Sequence, residues 1–299
     1  MKDLLQSIRK AFLSLPRQSS IEITEIYPGI ALAFLTLKTD TFPAAHEDLG
    51  HVLQINYCRR GRIGWNMGNK SALYLGPGDF SLHTMDTCVS SAISLPAGSY
   101  EGLIIFTDLD MLTNHPPDIL SGTGITGEFL RDKFCRDSSF TSLAGDEQTE
   151  RIFTAFYGQP EQFGLPWQRI KVLELLLLLA GLKVSAKNKL TEYQSEQIET
   201  IRNIHELLVT HLEQRFTIEA LSKQYLMNPT TLKAMFKSVY GTSIAAHIKE
   251  HRMEQAAKLL RETDLSIAEI SGLVGYDSQS RFASAFKEAF GQLPKAYRK

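Results

Sequence analysis

The 299-residue chain lacks the signatures of several common protein classes. Cysteine is scarce: Cys58, Cys88 and Cys135 are widely spaced, odd in number and form no CxxC pair. That excludes a disulfide scaffold, argues against a cysteine zinc cluster and fits a reducing, cytoplasmic setting. Long hydrophobic runs are missing too. The most apolar stretch, Leu173 to Leu182, is interrupted by Glu174 and flanked by Arg169, Lys171 and Lys183, whereas a membrane span needs about 20 apolar residues. The N-terminal residues Met1 to Gln6 mix charge with apolar side chains and lack a secretory core. There is no G-x-S-x-G, no Walker A loop, no H-E-x-x-H and no G-x-G-x-x-G in a βαβ context, so the chain reads as neither an enzyme nor a binder of a cofactor or metal. Gly122, Gly124 and Gly127 imitate a spaced-glycine loop, but no buried strand precedes them. Neither sign of charge is in excess, the net being −1.

What is present is 43% hydrophobic and 22% charged sequence, ordinary for a globular protein and long enough for two domains. Residues 2–15 place Leu4, Leu5, Ile8, Phe12 and Leu15 at helical spacing before Pro16. From residue 21 to about 108 the pattern changes to short strands: 21–27, 30–37, 52–58, 63–66, 72–75, 80–83 and 103–107. Turn residues separate them, among them Pro28-Gly29 and Gly76-Pro77-Gly78-Asp79. This spacing predicts an antiparallel barrel or a double-sheet roll. Two longer helices are predicted at about 146–158 and 166–184. The second is apolar over most of its circumference, which demands cover on several sides, either within the monomer or at a helix-packed dimer interface. The polar segment 183–195 marks the domain boundary. The reading is therefore α+β: an N-terminal domain over 1–190 and an all-α domain over 191–299.

The last hundred residues contain an internal repeat. Thr217 to Leu221 matches Ser266 to Ile270 at an offset of 49, and Leu232, Phe236, Lys237, Tyr240 and Gly241 match Phe282, Phe286, Lys287, Phe290 and Gly291 at an offset of 50. One inserted residue accounts for the change. Thr217 and Ser266 are N-cap residues before apolar-periodic runs; Asn228 with Pro229 opens a further helix, closed by Gly241. A long helix at about 244–261 joins the two units through Ile244, Ile248, Met253, Ala256, Ala257 and Leu260. Each unit is thus a helix-turn-helix, whose second helix has the dimensions to enter a major groove. On the outward faces lie Thr230, Thr231, Lys233 and Lys237, then Gln279, Ser280, Arg281, Ser284 and Lys287. These residue types pair with base edges and phosphates. The charge divides accordingly: residues 1–194 hold 18 Lys and Arg against 21 Asp and Glu, and residues 217–299 hold 12 against 8.

At these residues the sequence resembles the AraC/XylS family of bacterial transcription regulators. Gly241 to Ile244 with Arg252 to Leu260 is similar to its linker helix, and Ser266 to Tyr276 with Phe282 to Arg298 to its second-unit signature. The resemblance covers about residues 200–299. It implies base contacts from Thr230, Lys233, Gln279, Ser280, Arg281 and Ser284, with Ala234 standing where the family often has arginine. Asn228 to Lys233 is similar to the branch that contains the pyochelin regulator. The resemblance further implies a cupin-like β-barrel over 21–108 that binds a small-molecule effector and forms a homodimer, and a role as activator acting on promoter double-stranded DNA with RNA polymerase.

Within the N-terminal domain, His51, Leu53, Ile55 and Tyr57 share one face of a strand, with Val52, Gln54, Asn56 and Cys58 on the other. With Trp65 and Met67 of the next strand, the first set are candidate ligand contacts in an apolar pocket. His46 and His51 lie five apart, on opposite faces of a strand, which disfavours a shared metal. Two rival readings follow: a ligand-independent regulator whose barrel only dimerises, and a metal-dependent cupin enzyme with an appended DNA-binding domain.

Overall fold

A computed structural model describes residues 4–12, 15–45, 49–66, 70–88, 90–136, 140–158 and 161–298. The chain divides into two units, Met1–Ser195 and Glu196–Lys299. In the first, α1 (Leu4–Ala11) precedes β1 (Ser20–Tyr27), β2 (Ile30–Lys38), β3 (Thr41–Ala45), β4 (Val52–Gly61), β5 (Ile63–Asn66), β6 (Ser71–Leu75), β7 (Phe80–Thr84), β8 (Ser90–Ser94) and β9 (Ser99–Asp108). Then follow α2 (Leu109–Asn114), α3 (Gly127–Phe134), β10 (Thr141–Leu143), α4 (Glu147–Ala155), α5 (Gly164–Gly181) and β11 (Tyr193–Gln194).

The strands form two open antiparallel sheets, in the orders β1-β2-β9-β4-β7-β10 and β11-β6-β5-β8-β3. Of the two arrangements the strand spacing predicts, a barrel is not shown, since among the described residues neither sheet pairs its first strand with its last; the strands form two sheets, as in the double-sheet alternative. The seven expected strands are all present. β3, β8, β10 and β11 lie outside those expectations, because they are short or, like Ser90-Ser91-Ala92-Ile93-Ser94, carry little β-branched or aromatic signal.

Alternation along β4 decides the layering. Leu53, Ile55 and Tyr57 pack with Phe80, Leu82, Leu103 and Ile105 against helices α2 to α5. Val52 and Cys58, with Ala31, Ala33, Leu35, Leu37, Ile104 and Phe106, meet Ile63, Trp65, Leu73 and Leu75 of the smaller sheet. The larger sheet is thus a middle layer, buried on both faces. Tyr57 stacks on Phe153 of α4 with ring centroids 4.3 Å apart. Arg169 Nε of α5 donates to the carbonyl of Ile26 at 3.0 Å, and Trp167 Nε1 to that of Ala155 at 2.8 Å. These bonds pin α5 across the sheet. Its buried face is Val172, Leu173, Leu175, Leu176 and Leu179. Its outer face carries Ile170 and Leu177, 61% and 49% exposed. No helix among the described residues is long and apolar enough to cross a membrane.

The second unit is helical: α6 (Ser195–Thr210), α7 (Ile218–Gln224), α8 (Pro229–Tyr240), α9 (Ile244–Glu262), α10 (Ile267–Leu273), α11 (Gln279–Phe290) and α12 (Pro294–Tyr297).

Candidate nucleic-acid interface

The repeat in the sequence becomes a repeat in space. α7 and α10 are 7 residues each, and α8 and α11 are 12 each. Every start has a side-chain cap: Thr217 accepts from the Ala220 amide, Asn228 from Thr230, Ser266 from Glu269 and Ser278 from Arg281. Such caps satisfy amides that an open helix end leaves unpaired. Both long helices stop at a left-handed glycine, Gly241 at φ 82° and Gly291 at φ 74°. The turns inside the units differ. Gly275 supplies φ +76° in the second, and at the matching place in the first Leu226 adopts φ +51° while 92% exposed.

Burial turns one face of each long helix inward. Leu232, Met235, Phe236 and Val239 are buried on α8, and Phe282 and Phe286 on α11. Phe282 and Phe286 pack with Met253, Ala256, Ala257, Leu260, Ile270 and Val274 in one cluster. α9 lends its first turns to the first unit through Ile244 and His247, both buried. Ile248, expected in that core, is half-buried. Arg252 braces the second turn. Its guanidinium donates to the carbonyl of Gln214 at 2.8 Å and of Gly275 at 3.3 Å, and lies over the Tyr276 ring.

The structure brings the named outward residues together on two faces. Thr230, Lys233 and Lys237 are exposed on α8, and Thr231 is half-buried; Gln279, Ser280, Arg281, Ser284 and Lys287 are all exposed on α11. At the repeat offset Thr230 matches Ser280, Thr231 matches Arg281, Ala234 matches Ser284 and Lys237 matches Lys287. The long cation nearest the helix start is therefore Lys233 in one unit and Arg281 in the other, two residues apart in register. Among the described residues, no ion pair or side-chain hydrogen bond occupies Lys233, Lys237, Arg281 or Lys287. By contrast, nearby Lys249 is paired with Glu288 at 2.8 Å, and Arg215 with Asp277. α9 has 19 residues, a length of about 28 Å at about 1.5 Å per residue, close to the ~34 Å between successive major grooves on one side of a duplex.

The candidate ligand contacts are not brought together. Leu53, Ile55 and Tyr57 are buried on the helix side of the middle sheet, Trp65 lies on the opposite side, and Met67 falls outside the described residues. The expectation of one shared pocket fails because both faces of β4 are covered. His51 is half-buried, with Nε2 4.0 Å from Asp108 Oδ2, and lines a cleft of about 550 Å³ together with Leu4, Leu49, Met111 and His115. It belongs to no group of three metal-binding side chains among the described residues, and His46 lies outside them. What sequence reading missed is the polar inner face of β4. Gln54, Asn56, Ser81 and His83 are buried between the sheets. Asn56 Nδ2, Ser81 Oγ and Trp65 Nε1 have no hydrogen-bond partner there. Burial pushes the thiols of Cys58 and Cys135 up to about 12, which leaves them protonated and unreactive at neutral pH.

A helix-turn-helix domain family model matches residues 221–299. The HTH-type transcriptional regulator AlkR of Acinetobacter baylyi is 36% identical over 86 residues, 29% of this chain and 28% of that protein. The F1 operon positive regulatory protein of Yersinia pestis is 37% identical over 100 residues, 33% of each chain. The C-terminal domain of AraT, a response regulator from Geobacillus stearothermophilus, is 37% identical, with 33% of this chain and 83% of that one covered at a TM-score of 0.32. The match thus spans about a third of these curated relatives' length.

Proposed function

Since the chain belongs to the AraC/XylS family of transcription regulators through its C-terminal unit, we propose that it is a cytoplasmic, ligand-responsive activator that binds promoter DNA through that unit and makes no catalytic step. The observation that carries this reading is the pair of matched helix-turn-helix units with uncommitted cations on both outward faces. Activation is favoured by the Yersinia pestis relative, whose name describes positive regulation; RNA polymerase is then the further partner. In the first unit, Asn56 Nδ2, Ser81 Oγ and Trp65 Nε1 are buried donors without partners. Each such group costs about 1–3 kcal/mol unmet, and an effector with acceptor oxygens would meet them. Screening acceptor-bearing small molecules by thermal shift tests this: a ligand that stabilises the wild type should lose about tenfold in affinity in W65F. An equal shift in both would remove the site from between the sheets.

The whole reading is tested by selecting binding sites for the full chain from randomised duplexes. The expected product is a site with two conserved blocks about one helical turn apart. Recovery of a single short block, or of no consensus, would sink it. The same selection tests the homodimer. The exposed Ile170 and Leu177, seven residues apart on α5, are proposed to face a second copy. Wild-type protein should then select two copies of the bipartite site, and I170D/L177D should select one and sediment as a monomer. An unchanged sedimentation coefficient in the variant would place the dimer contact elsewhere.

A further inference from the structure

Outside the outward faces, three imidazoles converge in the second unit. His247 and His251 stand one helical turn apart on α9, with their Nε2 atoms 3.1 Å apart. His205 of α6 joins them, and one nitrogen from each ring lies within 4.8 Å of the others. We propose that His205, His247 and His251 form a binding site for a divalent transition-metal ion of the zinc class.

Four observations support the chemistry. Tetrahedral zinc with nitrogens at about 2.0–2.1 Å places those nitrogens roughly 3.3 Å from one another, close to the observed 3.1 Å for the α9 pair. Two histidines at i and i+4 on one helix face are a spacing that delivers two nitrogens to one ion. His247 is buried, so the core around it holds its ring in one place and the site needs little ordering to receive an ion. Finally, carboxylates stand close to two of the rings: Glu254 Oε2 lies 3.8 Å from His251 Nδ1, the nitrogen turned away from His247, and Glu206 Oε1 lies 3.7 Å from His205 Nδ1. A carboxylate behind a ligating imidazole fixes its tautomer and orients the ring.

The surroundings hold the rings in place. Tyr240 stacks on His205 at 4.4 Å and 12°, and the Phe236 ring meets His247 edge-on at 5.5 Å. Both aromatic residues belong to α8. An ion here would clip α6 to α9 directly beneath the first outward-facing helix. Three imidazoles leave a fourth position for water. An all-nitrogen set favours Zn²⁺, Co²⁺, Ni²⁺ or Cu²⁺ over Mg²⁺ or Ca²⁺.

The test uses the full chain, freed of any tag and stripped with EDTA. Titration with Zn²⁺ should give one ion per chain and raise the melting temperature. Titration with Co²⁺ should give visible ligand-field bands. H205Q and H251Q remove partly exposed rings, leave buried His247 in its core, and should each weaken binding at least tenfold and alter the Co²⁺ spectrum. No stoichiometric uptake at micromolar metal would overturn the proposal. So would one-to-one uptake with an unchanged spectrum in both variants, which places the ion elsewhere. DNA selection by the metal-free chain keeps this outcome separate from the regulatory reading.

Discussion

Replacing Gly275 with alanine should lower the stability of the C-terminal unit by about 2–5 kcal/mol, summing a left-handed backbone cost of about 1–2 kcal/mol and an overpacking cost of about 1–3 kcal/mol. The residue sits at φ +76°, and a Cβ there would lie 2.4 Å from the backbone oxygen of Leu212 and 2.5 Å from an Arg252 guanidinium nitrogen. The arginine can swing away. The Leu212 carbonyl cannot, because it belongs to the chain entering α7. Leu226 separates the two contributions, since it holds the same turn position at φ +51° with its side chain in solvent. Thus the dihedral alone is tolerated, and the close approach supplies the remainder. For a unit of this size each kcal/mol moves the melting temperature by about 4–8 °C, so a drop of roughly 8–40 °C is expected. Thermal melts of G275A against L226A measure it, with little change in the second. A drop below about 3 °C in G275A would mean that the turn opens to make room.

Lys233→Ala combined with Arg281→Ala should weaken binding to the selected duplex by about 2–6 kcal/mol, at least roughly 30-fold. Each base-reading side chain is worth about 1–3 kcal/mol, and two sites on separate units without shared partners should add. The single variants carry the sharper information. Arg281 lies exposed on α11 and Lys233 exposed on α8, so each should relax sequence preference in one block and leave the other intact. Fluorescence anisotropy against duplexes mutated block by block, at one fixed salt concentration, resolves the two cases. A uniform loss over all sequences, with a salt slope reduced by about 1, would make the residue a phosphate contact. Loss of preference in both blocks from one substitution would contradict the independence of the units.

The C-terminal unit was legible because its signals are local and repeated. Thr217, Ser266 and Asn228 are caps whose side chains reach amides two or three residues on, and Gly241 and Gly291 end helices where only a left-handed residue fits. Leu226 was not legible, since leucine carries no turn signal and its φ is imposed by the helices on either side. In the first unit, alternation on β4 correctly separated Leu53, Ile55 and Tyr57 from Asn56 and Cys58. It could not tell what would cover each side. A pocket was expected where α2 to α5 supply a second core, because the apolar face of a strand reads alike in a barrel wall and in a middle layer. The histidine cluster shows the same divide. His247 and His251 are one turn apart in sequence, whereas His205 reaches them only through packing of α6 on α9.

α9 has a consequence for how such a protein changes its targets. One unbroken helix lends its first turns to one core and its last turns to the other. Inserting a residue between them would rotate one reading head by about 100° relative to its neighbour and tear a core. On the proposed reading, the spacing between two words of the DNA site would therefore be locked by the interior. The letters within each word would be set by exposed side chains outside both cores, so the vocabulary could drift while the grammar stayed fixed.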